Sequence, residues 1–151
     1  MLFLDCEFNG HNGQLLSMAL VGSQTSVAPE FYAAVPRIDC MMNDWVKENV
    51  IPKIEIPTSS WSAFKLALHD FLRQHPGEVI VADSPADFVY LLEQCHEINE
   101  EGKYRYINLN LKMEFVISGD YTSENPHNAL ADARALKKWY FDNFPVSRQL
   151  A

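Results

Sequence analysis

Along the first half of the chain, apolar residues fall in short dense runs separated by turn-forming residues. Met1 to Phe8 and Gln14 to Val21 are rich in Leu, Phe, Met and Val. Asn9-Gly10-His11-Asn12-Gly13 between them carries the residues of a tight turn. Glu30 to Val35 is a third such run, and the short spacings predict an antiparallel meander of three strands. The pattern then changes. A short helix is predicted over Asn43 to Val50, stopped by Pro52. Ser59 or Ser60 can cap a longer one through Gln74, with Trp61, Phe64, Leu68, Phe71 and Leu72 on its apolar side. Pro76-Gly77 ends that helix. Glu78 to Ala82 reads as a buried strand, Pro85 to His96 as a helix, Tyr104 to Leu111 as a strand, and Asn128 to Asn143 as the last helix. Helices between the later strands imply crossover connections and parallel pairing. The order predicts an α/β fold: a mixed five-stranded sheet, antiparallel at first and then parallel, flanked by helices.

Length and composition narrow the class. The 151 residues, 48% hydrophobic and 12% aromatic, suit a single domain spanning positions 1–151 with a real core, and exclude disorder. No run approaches the roughly 18–20 apolar residues of a membrane span. The N-terminal residues lack a basic region and place Asp5 and Glu7 where a signal peptide needs apolar side chains. Three widely spaced cysteines, Cys6, Cys40 and Cys95, favour a reducing compartment, so a cytoplasmic protein is expected. Against 20 acids stand only 12 Lys and Arg, a formal charge of -8. That balance argues against a basic protein that coats nucleic acid. It leaves open whether some acids gather at one place.

Several acids stand where apolar residues are expected. Along the first strand Phe3, Asp5 and Glu7 share one face, and Leu2, Leu4, Cys6 and Phe8 the other. Two carboxylates roughly 7 Å apart on a covered strand repel each other and resist desolvation. Either both lie at a wet strand end, or a divalent cation sits between them. In the last helix Ala129, Ala133, Leu136 and Tyr140 form an apolar stripe, and Asp132 falls on its edge. Asp132 either interacts with the helix N-terminus or faces a cation. His127, just before the helix, can lie over the same region or serve as a surface residue. Asp83 and Asp87 follow the Val79–Ala82 run, at the strand end where α/β sheets tend to place ligands. Ser84-Pro85-Ala86-Asp87 also reads as a capping box, which would make Asp87 structural.

Taken together, these residues resemble a known family. Asp5-Cys6-Glu7-Phe8-Asn9-Gly10 is similar to the first motif (DxExxG) of DEDDh-type 3'-5' exonucleases. Asp83-Ser84-Pro85-Ala86-Asp87 resembles the second, with Asp87 as its acid. His127-Asn128-Ala129-Leu130-Ala131-Asp132 resembles the third, with His and Asp five apart. A sister subclass carries Tyr where this chain has Asn128. The second motif departs from the pattern, with Asp83 and Ala86 where many relatives have Asn and an aromatic, so Asp83 could assist or replace Asp87. The element order resembles the ribonuclease H-like fold of that family. The compact chain and Trp45-Val46-Lys47-Glu48-Asn49-Val50-Ile51-Pro52 are also similar to a small bacterial branch of exoribonucleases acting on adenylate-rich RNA ends.

The resemblance implies hydrolysis of terminal phosphodiesters of single-stranded RNA or RNA 3' overhangs with two Mg²⁺ or Mn²⁺ ions. Asp5, Glu7 and Asp132 would hold one ion, Asp5 and Asp87 the second, and His127 would accept the proton of the attacking water. Phe8 and Trp45 are candidates to stack on bases, against core packing as the alternative for each. Lys103-Tyr104-Arg105-Tyr106 could meet a single strand or form a solvated edge. Arg134, Lys137 and Lys138 could meet phosphate or plain solvent. Other readings remain: an oligoribonuclease-like enzyme for very short substrates, a DNA-directed exonuclease, or an inactive binding module. Small relatives often pair, so a homodimer is expected, but nothing in the sequence marks its interface.

Overall fold

The computed structural model describes residues 1–24, 27–98, 101–107 and 109–144. The strands are β1 (Leu2–Phe8), β2 (Leu15–Gly22), β3 (Glu30–Ala34), β4 (Val79–Ala82), β5 (His96–Ile98), β6 (Tyr104–Tyr106) and β7 (Lys112–Phe115). The α-helices are α1 (Asp44–Asn49), α2 (Trp61–Gln74), α3 (Pro85–Gln94) and α4 (Ala129–Asn143). Five strands form one mixed sheet in the order β3-β2-β1-β4-β7. β1–β2 and β2–β3 are antiparallel, while β1–β4 and β4–β7 are parallel. Among the described residues, no helix is long and apolar enough to cross a membrane.

The central position of β1 follows from its sequence. Leu2, Leu4 and Cys6 point to one face and pack with Phe64, Leu68 and Leu72 of α2 and Leu91 of α3. Phe3 points to the other, against Leu136 and Tyr140 of α4. Further along that second face, Ala19 and Val21 of β2 meet Ala129 and Ala133 of α4. Four small or β-branched residues let α4 ride close to the sheet there, bringing its first turn over the carboxyl end of β1. Gly13 closes the β1–β2 turn and tolerates no side chain, since a Cβ would lie 1.8 Å from the Asn9 carbonyl oxygen.

Two expected elements differ. α3 ends at Gln94, and His96 opens a short hairpin instead of closing the helix. The fifth strand of the sheet is not Tyr104–Leu111. Tyr104–Tyr106 pairs with His96–Ile98 outside the main sheet, and Lys112–Phe115 fills the edge beside β4. Asn108, within the expected strand, lies outside the described residues. The aromatics of Tyr104-Arg105-Tyr106 carry the stronger strand propensity, but strand partners are set by packing context rather than by propensity.

Candidate functional site

The carboxyl ends of β1 and β4 and the N-terminal turn of α4 converge on one spot. Asp5 and Glu7 come from β1, on the face that α4 covers. Asp132 comes from α4, where Asn128 serves as N-cap by accepting from the Ala131 amide at 3.0 Å. Carboxylate oxygens of Asp5, Glu7 and Asp132 all lie within 4.8 Å of one another, and these three can hold a metal ion. The solvated-end reading of the strand acids does not hold. Glu7 is only 9% exposed, and the Asp5 Oδ2 atom is buried without a hydrogen-bond partner.

Asp87 and Asp83 take different roles. Asp83 accepts hydrogen bonds on Oδ2 from the Ser118 hydroxyl at 2.6 Å and from the Tyr121 hydroxyl at 3.0 Å. It is spent on anchoring the segment that leads from β7 to α4. Asp87 is 1% exposed and turns toward β1, where it accepts from the Cys6 amide, while its Oδ2 is buried and unpartnered. Ser84 caps α3 as expected, accepting from Ala86. The Asp87 carboxylate faces the acid cluster, and among its neighbours it weighs most on the charge of Asp5.

The carboxyls of Asp5, Glu7, Asp87 and Asp132 are each pushed toward the protonated form. Burial, then Asp87, Glu7, Asp132 and Asp83, raise Asp5 well above the usual range. Burial and then Asp132 push Glu7 up to about 8. Burial and then Asp83 push Asp87 up to about 8 against the Cys6 amide. Asp132 is also raised, mainly by burial, although it accepts from Ser123 and from the His127 backbone. Four acids gathered in a partly dry place, two of them with orphaned oxygens, constitute a charge deficit. Hard oxygen donors without an internal counter-ion are the donor set of a divalent cation.

His127 sits at the rim. Its backbone is left-handed, with φ of 67°, uncommon for a residue with a side chain. That conformation lets its amide donate to Asp132 Oδ2 at 2.9 Å. The imidazole meets the Trp45 ring edge-on, with centroids 5.2 Å apart. His127, Trp45, Glu7 and Phe8 line one open cavity of about 510 Å³, within the size range of small-ligand sites. Trp45 is 54% exposed, so helix packing does not account for it. Phe8 is shared, stacking on Tyr90 at 4.8 Å and also lining the cavity.

The expected basic contacts fall elsewhere. Arg134 forms a two-pronged pair with Glu30 at 2.8 and 2.6 Å, and Lys137 donates to the Gln24 carbonyl. Lys138 pairs with Asp142 within the same helix. The 103–106 segment belongs to the separate hairpin, with Tyr106 exposed and the Tyr104 side chain outside the described residues.

Two residues were missed from the sequence. Asn9 bridges the β1 turn to the start of α1, donating to the Met41 carbonyl at 3.0 Å and accepting from the Asn43 amide at 2.8 Å. It thereby fixes the helix that carries Trp45. Ser17 lies opposite Glu7 in the β1–β2 register, and its hydroxyl is buried without a partner. The available signal was a lone polar residue inside the otherwise apolar run Leu15–Val21. Comparison with protein-family models, curated proteins and solved structures finds no match to this chain.

Proposed function

We propose that this chain is a metal-dependent 3'-5' exoribonuclease of DEDDh type on a ribonuclease H-like fold. The observation that carries the reading is the convergence of Asp5, Glu7, Asp87 and Asp132 beside His127. These four acids and one His are the residues the sequence motifs single out, and they come from β1, α3, α4 and the turn that precedes α4. The sheet order β3-β2-β1-β4-β7 supports the fold assignment.

Asp5, Glu7 and Asp132 would hold one divalent ion, and Asp5 with Asp87 a second. Bound Mg²⁺ or Mn²⁺ would supply Lewis-acid stabilisation of the attacking and leaving oxygens. The protein's own groups do the rest. The exposed His127 imidazole stands at the rim of the acid cluster and accepts the proton of the attacking water, a role to which imidazole chemistry is suited. Trp45 offers an exposed ring for stacking on a base, and Phe8, buttressed by Tyr90, offers a second. The partner proposed is the 3' end of a single-stranded RNA.

One observation favours short substrates. Arg134, Lys137 and Lys138 are engaged by Glu30, the Gln24 carbonyl and Asp142, so α4 provides no ready track for a long phosphate backbone. Incubation with 5'-labelled RNA, matching DNA and a dinucleotide, each with Mg²⁺, Mn²⁺ or chelator, tests both readings. A metal-dependent ladder shortening from the 3' end, absent in Asp5→Asn, is expected with RNA. Cleavage of the dinucleotide alone selects the oligoribonuclease reading. No cleavage of any substrate overturns both.

A further inference from the structure

Ser17 stands alone as a polar side chain inside β2, and the mechanism above leaves it unused. It is 0% exposed, and its hydroxyl has no hydrogen-bond partner. A buried hydroxyl without an acceptor costs stability, and Ala would fill the same place without that cost. The strand register shows where an acceptor lies. Ser17 pairs with Glu7 of β1 and with Ala34 of β3, so the three side chains share the face that α4 covers. Ala34 offers nothing polar, and neither does Ala19, the next residue of β2 on that face. The Tyr32 hydroxyl, one step further along β3, is already held by Asn128 at 3.1 Å. Among the described residues, no hydrogen bond reaches the Glu7 carboxylate. An idle donor therefore faces an idle acceptor. Paired residues of antiparallel strands hold their Cβ atoms about 4.5–5.5 Å apart, a gap that a rotated serine hydroxyl and a glutamate carboxylate close easily. The register slips directly after this pair, with Phe8 facing Leu15, so no regular ladder beyond Glu7 fixes its direction.

We propose that Ser17 is a positioning residue for the metal centre, its hydroxyl donating to the Glu7 carboxylate when that carboxylate holds a divalent ion. The inference rests on Glu7 being a ligand, as proposed above. A ligating carboxylate stays charged in a dry place, and the acceptor sites that the ion does not fill need donors. Ser17 fills one of them from a strand that carries no ligand itself. Groups that hydrogen-bond a ligating side chain in this way orient it, and their loss typically weakens metal binding about 10–100-fold.

The test is Mn²⁺ affinity of the full chain by titration calorimetry, with melting temperature in chelator as a second readout and no substrate present. Ser17→Ala should bind Mn²⁺ about 10–100-fold more weakly. In chelator the same variant should melt about 2–12 °C above the parent, because an unsatisfied buried group is gone. A merely structural serine would move the two readouts in the same direction. Ser17→Thr and Ser17→Val share one shape, so a difference between them isolates the hydroxyl. The Thr variant should bind Mn²⁺ about 10–100-fold more tightly than the Val variant. In a Glu7→Gln background, Ser17→Ala should cost less than about threefold more, since its effect runs through that carboxylate. A wild type that binds no Mn²⁺ overturns the metal-centre reading and this role with it. A wild type that binds Mn²⁺, with Ser17→Ala binding equally well or melting lower in chelator, overturns the role of Ser17 alone.

Discussion

Replacing Glu7 by Gln should make the metal-free protein more stable. Glu7 is buried beside Asp132, and its carboxyl is pushed from an ordinary 4.5 up to about 8. A carboxyl whose folded-state value is raised is bound more tightly by its proton in the folded chain than in the unfolded one. Its contribution therefore leaves stability intact below about pH 4.5 and lowers it progressively as pH rises toward 8. At pH 7 the unfolded chain gains about 2.5 pH units of ionisation that the folded chain largely forgoes. At roughly 1.4 kcal/mol per unit this costs about 3 kcal/mol. At pH 5 the same arithmetic gives under about 1 kcal/mol. Gln fills the same volume with no charge to suppress. In chelator at pH 7 the variant should melt about 6–12 °C above the parent, at roughly 2–4 °C per kcal/mol for a chain of this size. The gap should shrink to about 2–3 °C at pH 5. Added Mn²⁺ should stabilise the parent more than the variant, because one ligand is missing. A variant that melts at or below the parent at pH 7 in chelator would refute the electrostatic account of the cluster.

The remaining predictions separate the residues around the acids. His127→Ala should lower kcat about 10²–10⁴-fold while leaving the melting temperature and Mn²⁺ stabilisation nearly unchanged, as expected of a proton acceptor at the rim. Asp87→Asn should abolish most activity and blunt stabilisation by metal. Asp83→Asn should instead cost about 1–3 kcal/mol of stability in urea melts, through its bonds to Ser118 and Tyr121, with metal stabilisation retained. Trp45→Ala should raise KM for RNA by about 5–150-fold, the worth of one base stack, without lowering thermal stability.

Much of this arrangement is legible in the sequence. The two-residue alternation in Leu2–Phe8 put Asp5 and Glu7 on one face, and the alanine-rich start of α4 foretold the close approach that brings Asp132 to them. The limits have physical causes. Asp87 was ambiguous because an acid three residues after Ser84 suits a capping box and a ligand site equally, and its turn toward the Cys6 amide is a long-range contact that local pattern does not encode. β7 was missed because an edge strand with a half-exposed apolar face carries charges at Lys112 and Glu114 and shows no buried run. Asn9 looked like an ordinary turn residue. Its reach to Met41 and Asn43 spans more than thirty positions, a separation that local pattern does not encode.

The left-handed backbone at His127 has a mechanical consequence. Its amide holds the oxygen of Asp132, so the residue proposed to take the proton hangs by its own main chain from a residue proposed to bind metal. Any turn of that carboxylate on loading is felt directly by the peptide unit carrying the imidazole. Loading of the centre and aiming of the base are coupled motions of one short linkage. The amide resonance of His127 is then a built-in gauge of occupancy, readable by titration without a substrate present.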